Sequence, residues 1–109
     1  MNTEIIEIRT YLIKENKRET FHKFVEENSI PMLKRWNVNV LSYGKSLHDD
    51  NSYFLIRKYK SLEERKESQN AFYSSEEWTS NYEKAIMKLI EKYTTFVLEA
   101  DNIKKILTF

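Results

Sequence analysis

Residues 5–13, Ile5-Ile6-Glu7-Ile8-Arg9-Thr10-Tyr11-Leu12-Ile13, alternate as a strand does, yet both alternating sets are bulky. Successive strand side chains point to opposite faces. Ile6, Ile8, Thr10 and Leu12 therefore share one face, and Ile5, Glu7, Arg9, Tyr11 and Ile13 the other. A sheet built on such a strand needs cover on both sides, because an antiparallel sheet meets water comfortably only through a polar face. Residues 53–59 repeat the condition, with Phe54 and Ile56 opposite Tyr53, Leu55 and Tyr59. One layer of helices satisfies half of this demand.

The intervening segments supply that layer. Asn16 and Glu19 have capping-box spacing, and Phe21, Phe24, Val25 and Asn28 recur at helical intervals, which predicts a first helix over 17–28. Ser29 with Pro31 marks a second helical piece over 30–36, since proline's missing N–H costs nothing in a first turn. Residues 38–47 and 53–59 read as a hairpin about the turn formers His48-Asp49-Asp50-Asn51-Ser52. Ser61 with Glu64, and Ser74 with Glu77, repeat the capping-box spacing and open helices over 62–72 and 75–92. In the longer one Trp78, Tyr82, Ala85, Ile86, Leu89 and Tyr93 make an apolar stripe. Glu76 and Glu77 at its start and Lys84, Lys88 and Lys92 toward its end suit the helix macrodipole. Residues 94–99 alternate again as a fourth strand, before a short tail over 101–109.

The order β, α, β, β, α, β, with each helical connection split in two, is ferredoxin-like. The expectation is an α+β chain, one domain over 1–109, whose four-stranded antiparallel sheet carries helices on one face. A second copy is the simplest lid for the other face, and two such sheets packed together give a homodimeric α+β barrel.

Composition removes several function classes. Eighteen Lys plus Arg against seventeen Asp plus Glu leave a net charge of +1, so no global field recruits nucleic acid or an anionic membrane. An RNA-binding sheet would also carry a glycine-aromatic signature on its third strand, where Tyr53-Phe54-Leu55-Ile56-Arg57 stands instead. Charged residues at 32% leave no apolar stretch for a membrane span. Cysteine is absent, which excludes disulfides, thiolate metal sites and cysteine nucleophiles. A single glycine, Gly44, excludes phosphate-cradling loops, which need several. The first residues lack the basic and apolar regions of an export signal, so a cytoplasmic protein is expected.

Several stretches carry a family pattern: Glu7-Ile8-Arg9-Thr10-Tyr11, Ile30-Pro31-Met32-Leu33-Lys34-Arg35, Arg57-Lys58-Tyr59-Lys60-Ser61-Leu62-Glu63-Glu64-Arg65 and Glu76-Glu77-Trp78. In order and spacing the chain resembles the NIPSNAP family over about residues 3–101. It departs from the pattern at Lys14-Glu15-Asn16, where Lys-Pro-Gly is usual, and at Ser74-Ser75, where Asp-Pro is usual; both are turn or cap positions. The resemblance implies a dimeric α+β barrel, with a pocket between sheet and helices. It supplies no agreed catalytic residue set. The wider barrel group includes cofactor-independent oxygenases, haem-binding enzymes and isomerases, among which fold analogy cannot choose.

Arg9, Tyr11, Arg57 and Tyr59 share strand parity, so neighbouring first and third strands would gather them on one face. Arg forks and Tyr hydroxyls suit a ligand carboxylate or carbonyl. The competing structural role is a cross-strand ion pair of Glu7 with Arg9 or Arg57 in the dimer interior. Trp78, and less directly Trp36, would add a flat wall to a pocket or simply pack in the core. His22 and His48 are the only imidazoles. His22 borders the first helix stripe, as a half-exposed residue or as a base or haem ligand; His48 with Asp49 and Asp50 reads as a solvated turn. No metal or cofactor is called for. The expectation is a small-molecule-binding homodimer using Arg9, Tyr11, Arg57, Tyr59 and Trp78. The alternatives are a non-catalytic protein-interaction module and a monooxygenase-like or haem-binding enzyme.

Overall fold

The computed structural model describes residues 3–107. Strands β1 (Ile5–Ile13), β2 (Asn39–Lys45), β3 (Ser52–Tyr59) and β4 (Ile90–Glu99) form one antiparallel sheet in the order β2-β3-β1-β4. The first crossover is α1 (Arg18–Phe24), a π-helical turn (Val25–Ser29) and α2 (Ile30–Arg35). The second is α3 (Leu62–Tyr73), another π-helical turn (Trp78–Tyr82) and α4 (Glu83–Met87), and α5 (Ala100–Leu107) follows the last strand. This is the ferredoxin-like α+β arrangement.

Register decides what meets under the helices. Glu7 lies opposite Arg57, and Tyr11 opposite Tyr53. On the other side of β1, Arg9 faces Thr95 and Tyr11 faces Tyr93. The odd-numbered side chains of β3 are buried and the even-numbered ones half-buried, so the helix layer covers the odd set. The core joins Ile5, Ile13, Tyr53, Leu55 and Tyr59 of that face to Phe21, Val25, Ile30, Met32 and Leu33 of the first crossover and to Phe72, Ile86 and Leu89. The opposite face carries Ile8, Leu12, Phe54 and Ile56, with Phe96 65% exposed.

The chain ends its elements differently from several expectations. Ser61 does cap α3, its Oγ accepting from Glu64 N–H at 3.0 Å. Asn16, however, caps nothing: it stands at φ 64°, a left-handed turn that asparagine tolerates better than most residues, and the N-cap Lys17 makes no side-chain cap bond. Glu19 pairs with Lys45 instead of closing the box. Ser29 has helical dihedrals and no cap bond, because the π-turn carries the chain straight into α2. At the fourth helix the capping hydroxyl is Ser75, which accepts from Trp78 N–H at 3.2 Å, while Ser74 closes α3.

The expected helix over 75–92 stops at Met87, and β4 begins at Ile90 rather than Thr94. Leu89, Lys92 and Tyr93 fit a helical period, but pairing of Lys92 with Leu12 and of Ile90 with Ile13 puts these residues in or beside the sheet; tertiary pairing overrides local propensity. The expected tail is helical as far as Leu107, and its last two residues, 108 and 109, lie outside the described residues. No described helix is long and apolar enough to cross a membrane.

Candidate functional site

The covered face is organised by one buried carboxylate. Glu7 is fully buried, and its Oε1 accepts from Arg57 Nε at 3.0 Å and also from Arg57 Nη2. Its Oε2 accepts from Arg65 Nε at 2.6 Å and Gln69 Nε2 at 2.5 Å. Arg9 Nη2 stands 3.8 Å from Oε1, close enough for charge attraction but too far for a hydrogen bond. A buried ion is tolerable only when paired and hydrogen-bonded, and here each oxygen has two donors. Burial pushes the Glu7 carboxyl up. The charge and hydrogen bond of Arg57, with the charge of Arg9 and the Gln69 hydrogen bond, outweigh burial and hold its pKa down at about 2. Glu7 is therefore an anion facing three guanidiniums.

These groups converge by simple periodicity. Register places Glu7 against Arg57, while Arg65, Gln69 and Tyr73 recur every four residues along α3 and so share one helix face. Tyr73 extends the network. Its hydroxyl oxygen accepts from Arg9 Nη1 at 3.1 Å and from Arg57 Nη1 at 3.0 Å. Arg9 Nε donates to Thr95 Oγ1 at 3.3 Å, and its guanidinium lies 5.1 Å from the centre of the Tyr93 ring, in cation–π range.

Beside this network, between β1, β4 and the second crossover, is a cavity of about 380 Å³. Arg9, Tyr11, Gln69 and Tyr73 form its polar wall; Trp78, Ile86, Ile90 and Tyr93 form much of its apolar wall. Glu83 and Met87 stand at the lining's exposed part, and Glu83 Oε2 accepts from Trp78 Nε1 at 3.2 Å. Burial, reinforced by the neighbouring Tyr73 phenol and opposed by Arg9, pushes Tyr11 up to about 12. Near neutral pH it is a phenol, not a phenolate.

Of the five residues singled out from sequence, Arg9, Tyr11 and Trp78 line the cavity. Arg57 and Tyr59 lie on the same covered face but outside the lining: Arg57 is committed to Glu7 and Tyr73, and Tyr59 accepts from Gln69 Nε2 at 3.3 Å. The Glu7–Arg57 ion pair does form, yet beneath the helix layer rather than on the opposite face where a dimer interior would lie. Sequence reasoning missed Gln69, Tyr73, Glu83 and Tyr93. The four-residue spacing of Arg65, Gln69 and Tyr73 was the available signal for two of them.

Both histidines are engaged elsewhere. His22 Nδ1 shares a hydrogen bond of 2.6 Å with Tyr53 Oη, and its Nε2 lies 3.2 Å from Glu26 Oε1. With both ring nitrogens in use, His22 positions a buried tyrosine. Near the exposed His48, Asp49 spends its carboxylate on the turn, accepting from the Asn51 and Ser52 backbone and from Ser52 Oγ at 2.7 to 2.9 Å. Trp36 packs edge-on to Phe72 at 5.9 Å and donates Nε1–H to Glu77 Oε1 at 2.9 Å.

Comparison with known proteins agrees with this architecture. The NIPSNAP family model matches residues 6–101. A NIPSNAP family protein of unknown function from Agrobacterium tumefaciens is 25% identical with a TM-score of 0.82, covering 90% of this chain and 88% of its own. A NIPSNAP-like domain protein from Burkholderia xenovorans is 20% identical with a TM-score of 0.81, covering 90% and 85%. A putative antibiotic biosynthesis monooxygenase from Nitrosomonas europaea shares the fold at 12% identity and a TM-score of 0.68, covering 92% of each chain. No curated protein matches the sequence.

Proposed function

Because the chain belongs to the NIPSNAP family, we propose that it binds a small organic molecule in the cavity between its sheet and second crossover, and does so as a homodimer. The cavity carries this reading. Its volume of about 380 Å³ lies in the range of small-molecule sites, and a few convergent polar groups stand against aromatic and aliphatic walls. A pure interaction module would have no use for the space, and filling it with larger side chains would stabilise the fold. The likeness to the Nitrosomonas protein is one of fold and selects no reaction.

The dimer rests on the other face. Ile8, Leu12, Phe54, Ile56 and Phe96 form an apolar surface that the helices do not reach, of the kind that marks an interface. A second sheet of the same kind would cover it. Native mass spectrometry of freshly purified protein tests both parts together. The expected species is a pair of subunits carrying retained small-molecule mass, with Phe96→Glu shifting the population to single subunits. A wild-type protein that stays a single subunit at high micromolar concentration sinks the dimer. Failure of any small organic compound to bind in a broad fragment screen by NMR sinks the ligand site.

A further inference from the structure

We propose that the cavity is an oxyanion site that takes a flat aromatic carboxylate, one carboxylate oxygen on Arg9 Nη2 and the other on the Tyr73 hydroxyl. This rests on the cavity being the ligand site and names what it selects.

Three observations carry it. The first is a count of charges: Arg9, Arg57 and Arg65 surround the single carboxylate of Glu7, an excess of positive charge under the helix layer. Glu83 is at the exposed part of the lining and already accepts from Trp78, so it offsets this excess only weakly through solvent.

The second is a count of donors. Arg9 spends Nε on Thr95 and Nη1 on Tyr73, but Nη2 has only the 3.8 Å approach to Glu7. Tyr73 accepts from two guanidiniums, which occupies both lone pairs of its oxygen and leaves its O–H proton to be donated. Arg9 and Tyr73 both line the cavity. Two unspent donors close together match the two oxygens of a carboxylate.

The third is the wall. Trp78 and Tyr93 supply rings, and Ile86 and Ile90 aliphatic surface, which favour a planar apolar body behind the charged group.

Isothermal titration of the purified protein with 2-naphthoate and with its neutral isostere 2-naphthamide tests this. The acid is expected to bind on the order of tenfold more tightly, as a charge-assisted pair of hydrogen bonds requires. Arg9→Met should abolish the preference, and Tyr73→Phe, which keeps the ring and removes only the hydroxyl, should reduce it several-fold. Equal binding of acid and amide by the wild type overturns the oxyanion site while leaving the cavity a ligand site, as does a preference that survives in Arg9→Met. Binding of neither compound overturns both readings. The wild-type ratio and Tyr73→Phe decide the matter even where Arg9→Met fails to fold.

Discussion

The two crossovers follow one plan, helical pieces with a π-turn among them, and use it in opposite ways. The first presses Phe21, Val25, Ile30, Met32 and Leu33 into the sheet and leaves little space. The second buries Phe72 and Ile86, holds Tyr73, Trp78 and Tyr82 half-buried, and roofs a cavity. Tight packing and open space thus occupy different halves of one covered face. A residue in the first half is judged by the volume it fills, and one in the second by the donors and walls it presents.

Four measurements would break or sharpen that contrast. The largest effect is expected from Glu7→Ala, which strands the buried Arg57 charge and should cost about 3–5 kcal/mol in urea unfolding. The double change Glu7→Met with Arg57→Met should recover most of that loss, since both buried charges go together. A cost below about 1 kcal/mol for the single change would mean that the ionic network does not organise the second half.

Met32 is 1% exposed in the first half, so Met32→Ala should cost about 2–5 kcal/mol by opening a new void. Acid should act on the second half through Glu7. Its folded pKa of about 2 lies below the ordinary value of 4.5, so its contribution is complete above about pH 4.5 and is lost as pH falls toward 2. The shift corresponds to about 3 kcal/mol, and it should disappear from the pH–stability curve of a Glu7→Gln protein. The smallest effect is expected from Trp78→Ala, about 1 kcal/mol in a thermal melt, because this half-buried ring borders space that is already empty. If Trp78→Ala costs as much as Met32→Ala, the two halves are packed alike and the contrast fails.

Most of the fold was legible because strand parity and capping chemistry are local. The alternation in residues 5–13 and 53–59 placed Arg9, Tyr11, Arg57 and Tyr59 on one face, and the register bears that out. Ser61 and Glu64 marked a real helix start. What stayed hidden depends on contacts between distant segments. Ile90 joins a strand because β1 lies beside it, and Glu19 leaves its own helix end for Lys45 on β2. The site was half legible for the same reason. Arg9 and Tyr11 announce themselves by parity, whereas Gln69 and Tyr73 sit on a helix with many polar residues, where nothing local separates a cavity wall from a solvated side.

The π-turns set a limit on how the gene for such a chain can change length. Each wide turn absorbs residues without restarting the helix, so the helical piece that follows keeps its angular phase only at the present count. Deleting one codon within 25–29 would rotate everything after it by roughly 100° about the helix axis, swinging Met32 and Leu33 away from the sheet. Point substitutions there would be read through size and polarity, but a frame-preserving deletion would be read through rotation, and the crossover should be far less forgiving of the second.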